Sequence, residues 1–257
     1  MKVACIVPAR MGSSRYPGKP IAKICGYPML EHVFRRLKTS RYVTEIVIAT
    51  CDKEIRQVCE AFGARVIMTK DTHVRGTDRV AEAALHVQAD IIINVQGDEP
   101  LVDPKTLDEA IDVMLKDPSI PCVNLVSKIT DWDIFASRDV VKTVMDRKSR
   151  VLYFSRLPVP TQTKEKFKYA YKQIGIYLFK RDFLLQFASW QMTPLEEIES
   201  VDMMRILENG FPIQGFLGKD SISVDTPADL AFAEGIISQD PLYKQVFGDV
   251  IARSERK

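Results

Sequence analysis

The first 120 residues alternate between two kinds of hydrophobic pattern. Short apolar runs rich in β-branched residues occupy 2–7, 45–50, 65–69 and 90–95 and read as buried parallel strands. Between them the apolar positions fall at helical spacing. Leu30, Val33, Phe34 and Leu37 do so within 28–38, followed by helices over 53–62 (stopped at Gly63), 80–87 and 103–115. Strand–helix alternation at this spacing predicts an α/β fold, a parallel or mixed sheet with helices on both faces. Ligands of such sheets sit beyond the carboxyl ends of the strands.

After residue 120 the pattern changes. The runs 121–129, 140–145, 151–155 and 172–179 are strand-like with fewer helices between them, which predicts a smaller mixed-sheet lobe suited to substrate binding and dimerisation. The segment 158–167, with two prolines and many polar residues, is the expected mobile loop. Thr193-Pro194-Leu195-Glu196 is a capping box that should open a helix running to about Glu208 and stopping at Gly210, and Thr226-Pro227-Ala228-Asp229 opens the last helix in the same way. The organisation expected is one domain over 1–257. Residues 1–120 form the strand–helix part, about 121–192 the second lobe, and 193–257 return to the core.

Composition narrows the class. The chain has 257 residues, 46% hydrophobic and 27% charged, enough for a core that needs no crosslinks. Its net charge of +2, from 36 basic and 34 acidic residues, lacks the basic excess of a nucleic-acid binder. Five cysteines without a CxxC pair and three dispersed histidines argue against zinc and suit a reducing compartment. The apolar run at the start is broken by Pro8 and Arg10, and no stretch is long enough to span a bilayer, so a cytoplasmic protein with no membrane insertion is expected.

The chemistry concentrates at strand ends. The first strand runs into Pro8-Ala9-Arg10-Met11-Gly12-Ser13-Ser14-Arg15-Tyr16-Pro17-Gly18-Lys19, which is neither an ATPase P-loop nor a dinucleotide fingerprint. Gly12 and Gly18 allow the backbone close to a ligand, Ser13 and Ser14 donate hydroxyls, and Arg10, Arg15 and Lys19 bring cations with no acid among them. Such a loop suits a triphosphate, since like charges so close repel unless an anion faces them. Asp98 follows the strand over 90–95, and Asp225 ends the strand-like run 222–224. Two aspartates converging at one sheet edge would hold a hard divalent cation such as Mg²⁺. The residues themselves leave open that Asp98 is a turn aspartate and that Asp225 or Thr226 caps the following helix. His73 reads as a surface loop residue, and no general base stands out.

The first loop, with Gly76-Thr77-Asp78-Arg79, Val95-Gln96-Gly97-Asp98-Glu99-Pro100, Leu152-Tyr153-Phe154-Ser155-Arg156, Gly175-Ile176-Tyr177 and Val224-Asp225-Thr226-Pro227, resembles the 3-deoxy-manno-octulosonate cytidylyltransferase (CMP-Kdo synthetase) family over nearly the whole chain. The resemblance implies transfer of CMP from CTP to a sugar acid for surface polysaccharide, with pyrophosphate released, Mg²⁺ as cofactor and a homodimer as the assembly. It implies that Asp98 and Asp225 hold the metal and that Lys19 and Arg10 meet the phosphates. It also implies that Gln96 with the backbone at Pro8, Ala9 and Arg10 reads the cytosine, and that Gly76 and Arg79 face base or ribose. Arg156, Lys142 and Tyr177 fall in segments that the family uses for the sugar acid.

Departures gather in those sugar segments. A family histidine stands as Gln173 in Lys172-Gln173-Ile174-Gly175-Ile176-Tyr177, a glutamine as Met203 in Asp202-Met203-Met204-Arg205, and an Ala-Thr-Asp strand end as Ala49-Thr50-Cys51 with Asp52 one place later. Losing such hydrogen-bonding groups from a polar pocket costs about 1–3 kcal/mol each if their partners stay unpaired. Two rivals therefore stand beside Kdo activation. One is CMP transfer to another ulosonic acid or to a phosphonate or phosphate compound, and the other is a catalytically inactive nucleotide-binding homologue.

Overall fold

The computed structural model describes residues 1–12 and 16–254. In chain order the elements are β1 (Val3–Ala9), β2 (Lys23–Ile24), β3 (Tyr27–Pro28), α1 (Met29–Leu37), β4 (Val43–Thr50), α2 (Lys53–Ala61), β5 (Arg65–Met68), α3 (Gly76–Ala84), β6 (Ile91–Val95) and α4 (Pro104–Lys116). There follow β7 (Cys122–Ile129), α5 (Trp132–Ala136), β8 (Lys142–Met145), β9 (Val151–Ser155), β10 (Ala170–Lys180) and α6 (Arg181–Ser189). The chain ends with α7 (Pro194–Glu199), α8 (Met204–Glu208), β11 (Gln214–Leu217), α9 (Pro227–Ile237) and α10 (Pro241–Ser254).

One large sheet runs in the order β11-β7-β10-β6-β1-β4-β5, with β8 pairing β10 and β9 pairing β8. The strands β6, β1, β4 and β5 are mutually parallel, whereas β10 lies antiparallel between β6 and β7. All seven residues of β1 are buried, which explains its unbroken apolar run: it is covered on both faces. Val3, Cys5 and Val7 pack with α1 and α4 on one side. Ala4 and Ile6 pack with α3, Phe154, Phe179 and Phe187 on the other. Two cores thus sandwich the sheet, as the strand–helix alternation requires.

Three expectations from the sequence differ, the first being that the helix opened at Thr226 is not the last, because α10 follows it. The helix expected from Thr193 to Glu208 is two helices, because Ser200 takes a left-handed conformation (φ 53°) and the following turn buries Val201 and Met203 in the second core. A capping box does form at Thr193 and Glu196. The run 222–224 is not a strand, and Val224 is tied instead by its N–H to the carbonyl of Asp98 at 2.9 Å. No helix among the described residues is long and apolar enough to cross a membrane.

Candidate active site

The carboxyl ends of β1 and β6 open onto one cavity of about 300 Å³. Its walls come from the first loop (Pro8, Ala9, Arg10, Gly12, Lys19), from Gly76 and Arg79 of α3, and from Gln96, Asp98 and Asp225. Every described residue expected at the nucleotide and metal site therefore lines this one space. Ser13, Ser14 and Arg15 lie outside the described residues.

The first loop is pinned at its base. Gly18 in a left-handed conformation (φ 74°) donates its N–H to the Met11 carbonyl at 3.2 Å, closing the loop, and the Met11 N–H donates to Asp52 Oδ2 at 2.8 Å. Asp52 is thus an anchor that sequence reasoning passed over. Its only signal was an aspartate displaced one place from the strand end. Arg79, buried, donates to Thr69 Oγ1 and to the Lys70 carbonyl, so it braces the wall segment that precedes α3.

His73, expected on the surface, instead lines the cavity and pairs through Nε2 with Glu82. With Val74 and Arg75 it belongs to the segment that leads into α3, a placement that follows from the Gly-Thr-Asp-Arg helix start and not from any spacing of its own. Gln96 is fixed by a chain of side-chain bonds. Its amide donates to Asn94, Asn94 donates to Thr77 at 3.0 Å, and Thr77 donates to Asp202 at 2.5 Å. A Cβ on Gly76 would lie 3.2 Å from both end atoms of Gln96, so a side chain there would displace the Gln96 amide by a few tenths of an ångström.

At the floor Lys19 Nζ lies 2.6 Å from Asp98 Oδ2 and 3.1 Å from Asp225 Oδ1, a contact between segments 206 positions apart. Burial disfavours the ammonium, but the two carboxylates outweigh it and its pKa is raised. Thr226 supplies the N-cap of α9 in a capping box with Asp229, so the cap is Thr226 and not Asp225.

Two carboxylates converging on one cation position, with hard oxygen donors only, fit a Mg²⁺ ion. Such an ion commonly takes one or two protein carboxylates and fills its remaining positions with water and phosphate. The ammonium of Lys19 shows that a positive charge is accommodated between them.

Beside Asp98 the carboxyl of Glu99 is 1% exposed and its pKa is pushed up to about 7, by burial first and by the Asp98 charge second. Folding therefore takes up a proton at Glu99. The stability this contributes is complete below its ordinary pKa of 4.5 and is lost as pH rises through about 7. In metal-free buffer the unfolding free energy of the wild type should fall by on the order of 3 kcal/mol more than that of Glu99→Gln between pH 5 and 8. Denaturant titrations at several pH values check this, and parallel profiles would contradict it.

None of the residues expected at the sugar acid lines this cavity. Lys142 is a correction: it is 0% exposed, and its Nζ donates to the carbonyls of Ser137, Val140 and Arg156 at 2.6–2.7 Å. Its three protons are all occupied, and desolvation lowers its pKa to about 8. Met203 is a second correction, being wholly buried in the core beside Met204 and Ile206. Arg156 donates to the carbonyls of Glu199, Arg138 and Ser200, which leaves some of its five donors uncommitted. Gln173 donates to Asn124 at 2.9 Å. Tyr177 packs in the core on β10, its phenol pKa raised well above the ordinary value by burial and by Asp202, Glu99 and Asp98.

Comparison with known proteins agrees with this geometry. A cytidylyltransferase family model matches residues 4–220. The 3-deoxy-manno-octulosonate cytidylyltransferase of Geobacter metallireducens is 45% identical over 243 residues, covering 90% of this chain and 95% of that protein. The enzyme of the same name from Thermodesulfovibrio yellowstonii is 40% identical, covering 91% and 97%. A solved structure of CMP:2-keto-3-deoxy-manno-octonic acid synthetase, complexed with CTP, superposes with a TM-score of 0.87 at 36% identity, over 93% of this chain and 99% of that one. With matches of this length and identity, and with the expected nucleotide residues around one cavity, the chain belongs to the cytidylyltransferase family, among its 3-deoxy-manno-octulosonate cytidylyltransferases.

Proposed function

We propose that this protein transfers CMP from CTP to 3-deoxy-manno-octulosonate and releases pyrophosphate, as its relatives' names describe. The observation that carries the reading is the convergence of Lys19, Asp98 and Asp225 at the floor of a cavity whose rim holds Arg10. A triphosphate entering there meets Arg10 and, beside the carboxylate pair, the ammonium of Lys19.

In the reaction a sugar hydroxyl attacks the α-phosphorus. A new oxygen–phosphorus bond forms, the bond to the β-phosphate oxygen breaks, and the hydroxyl proton leaves to solvent. Asp98 and Asp225 would hold Mg²⁺, which when bound screens the phosphate charge that otherwise repels an oxygen nucleophile. Arg10 and Lys19 orient the phosphates and stabilise the charge that builds on the departing pyrophosphate. Gln96, held by Asn94, offers its amide to the cytosine edge, while Gly76 and Arg79 shape the wall beside base or ribose. The acid lies toward β10, on which Gln173 stands half-buried and Tyr177 backs the strand from the core, and the free donors of Arg156 suit a carboxylate. The assembly proposed is a homodimer and the setting the cytoplasm, where the product serves surface polysaccharide synthesis.

Pyrophosphate release from CTP, measured across a panel of acids, tests this. Turnover with 3-deoxy-manno-octulosonate well above other ulosonic acids and phosphonates is the expected result. Silence with it alongside turnover of another acid would replace the acceptor, and silence throughout would favour an inactive homologue.

A further inference from the structure

The segment that carries Asp225 runs between β11 and α9 without helix or strand, so no ladder of backbone bonds places that carboxylate. Its near end is held at Asp220, which accepts from Ser127 at 2.7 Å and pairs with Lys172 at 2.8 Å. Its far end is held by Glu99. Ser221 Oγ donates to Glu99 Oε2 and Ser223 Oγ to Glu99 Oε1, each at 2.5 Å, across 122 and 124 positions of sequence. The Gly175 N–H reaches the same Oε1 at 3.4 Å, and a Cβ on Gly175 would come within 3.1 Å of it. Residues 221, 223 and 225 are alternate positions, and all three side chains reach the Asp98–Glu99 pair or the lysine between the aspartates.

Among the described residues no cation pairs with Glu99, although it is almost wholly buried. An unpaired buried carboxyl is costly, and an apolar residue of similar size would pack there at lower cost. A carboxyl does what no apolar group can: it accepts two hydroxyls at once, one on each oxygen, and so locks a strandless segment in one register. The adjacent backbone bond from Val224 to Asp98 points the same way. Glu99 does not itself line the cavity.

We propose that Glu99 is a positioning residue that, through Ser221 and Ser223, sets the spacing of Asp98 and Asp225 and thereby the affinity of the pair for a divalent cation. This rests on the metal reading given above. It differs from a purely structural role in what it changes: the concentration of metal needed by the folded protein, and not only the fraction folded.

Mn²⁺ titrations of the full chain with CTP, followed by the electron paramagnetic resonance of free Mn²⁺, read this directly. Glu99→Ala, and separately Ser221→Ala with Ser223→Ala, should raise the half-saturating Mn²⁺ concentration about tenfold, the scale of losing an outer-shell partner. Glu99→Gln should stay near wild type, because its amide can accept one hydroxyl and donate to the other. Should Glu99→Ala fail to fold, the serine pair gives the same readout from the opposite side. Half-saturation unchanged in the folded alanine variants, or Glu99→Gln as weak as Glu99→Ala, would overturn the proposal. Asp98→Ala run alongside separates the two readings. If it weakens Mn²⁺ binding while the Glu99 and serine variants do not, only the positioning role falls. If it has no effect, the metal site falls and the positioning role with it.

Discussion

Replacing Asp98 by alanine should lower CTP-dependent turnover by at least about a thousandfold, because a bound divalent ion contributes several kcal/mol of charge stabilisation and each 1.36 kcal/mol is tenfold in rate. The loss should fall mainly on kcat, since the charge that needs stabilising grows on the leaving pyrophosphate. Stability should change little. The Asp98 side chain is a quarter exposed, and its backbone carbonyl, which accepts from Val224, is untouched by the substitution. Lys19 also keeps Asp225 as a partner. Steady-state kinetics with thermal unfolding of the same preparation checks both halves. Turnover within tenfold of wild type would remove Asp98 from the metal site.

The largest effect on stability is expected at Arg205→Met. Arg205 meets Glu196 through two bonds of 2.7 Å, from Nε and from Nη2, and reaches Asp78 at 3.1 Å while its guanidinium lies over the Phe187 ring. Glu196 is 0% exposed, so removing Arg205 leaves a buried carboxylate with only Arg75, at 3.8 Å, as a cationic neighbour. Breaking a buried pair in this way costs about 3–5 kcal/mol. The change should be visible as a shift of the urea midpoint at constant slope. The double variant Arg205→Met with Glu196→Gln should recover part of the loss, since the buried charge goes with the arginine. A single-variant loss below about 1 kcal/mol would mean that water reaches Glu196, as for an exposed pair.

What the sequence makes legible here is what periodicity and strand ends encode. The buried run at β1, the amphipathic spacing of α1, and the placing of Arg10, Lys19, Gln96 and Asp98 at strand ends all follow from local pattern. They recur in the structure around one cavity. What it hides depends on distant partners. Lys142 looks like a substrate cation, but burial beneath three carbonyls uses all of its protons. Met203 looks like an altered pocket residue, yet the break at Ser200 turns it into the core. Asp52 carries only the faint signal of a displaced strand-end aspartate and Glu99 none of its own, because each acts by holding a segment far away in the chain. His73 lines the cavity on a segment held by Arg79 at Lys70 and by its own contact with Glu82, both remote from any local pattern.

Crystals of the protein grown with CTP and Mn²⁺, measured at the manganese absorption edge, test the convergence of the two aspartates most directly. An anomalous peak in contact with both Asp98 and Asp225 and with phosphate oxygens of the nucleotide, with Arg10 and Lys19 against the triphosphate, is the expected result. A nucleotide in the cavity whose manganese touches neither aspartate would contradict it.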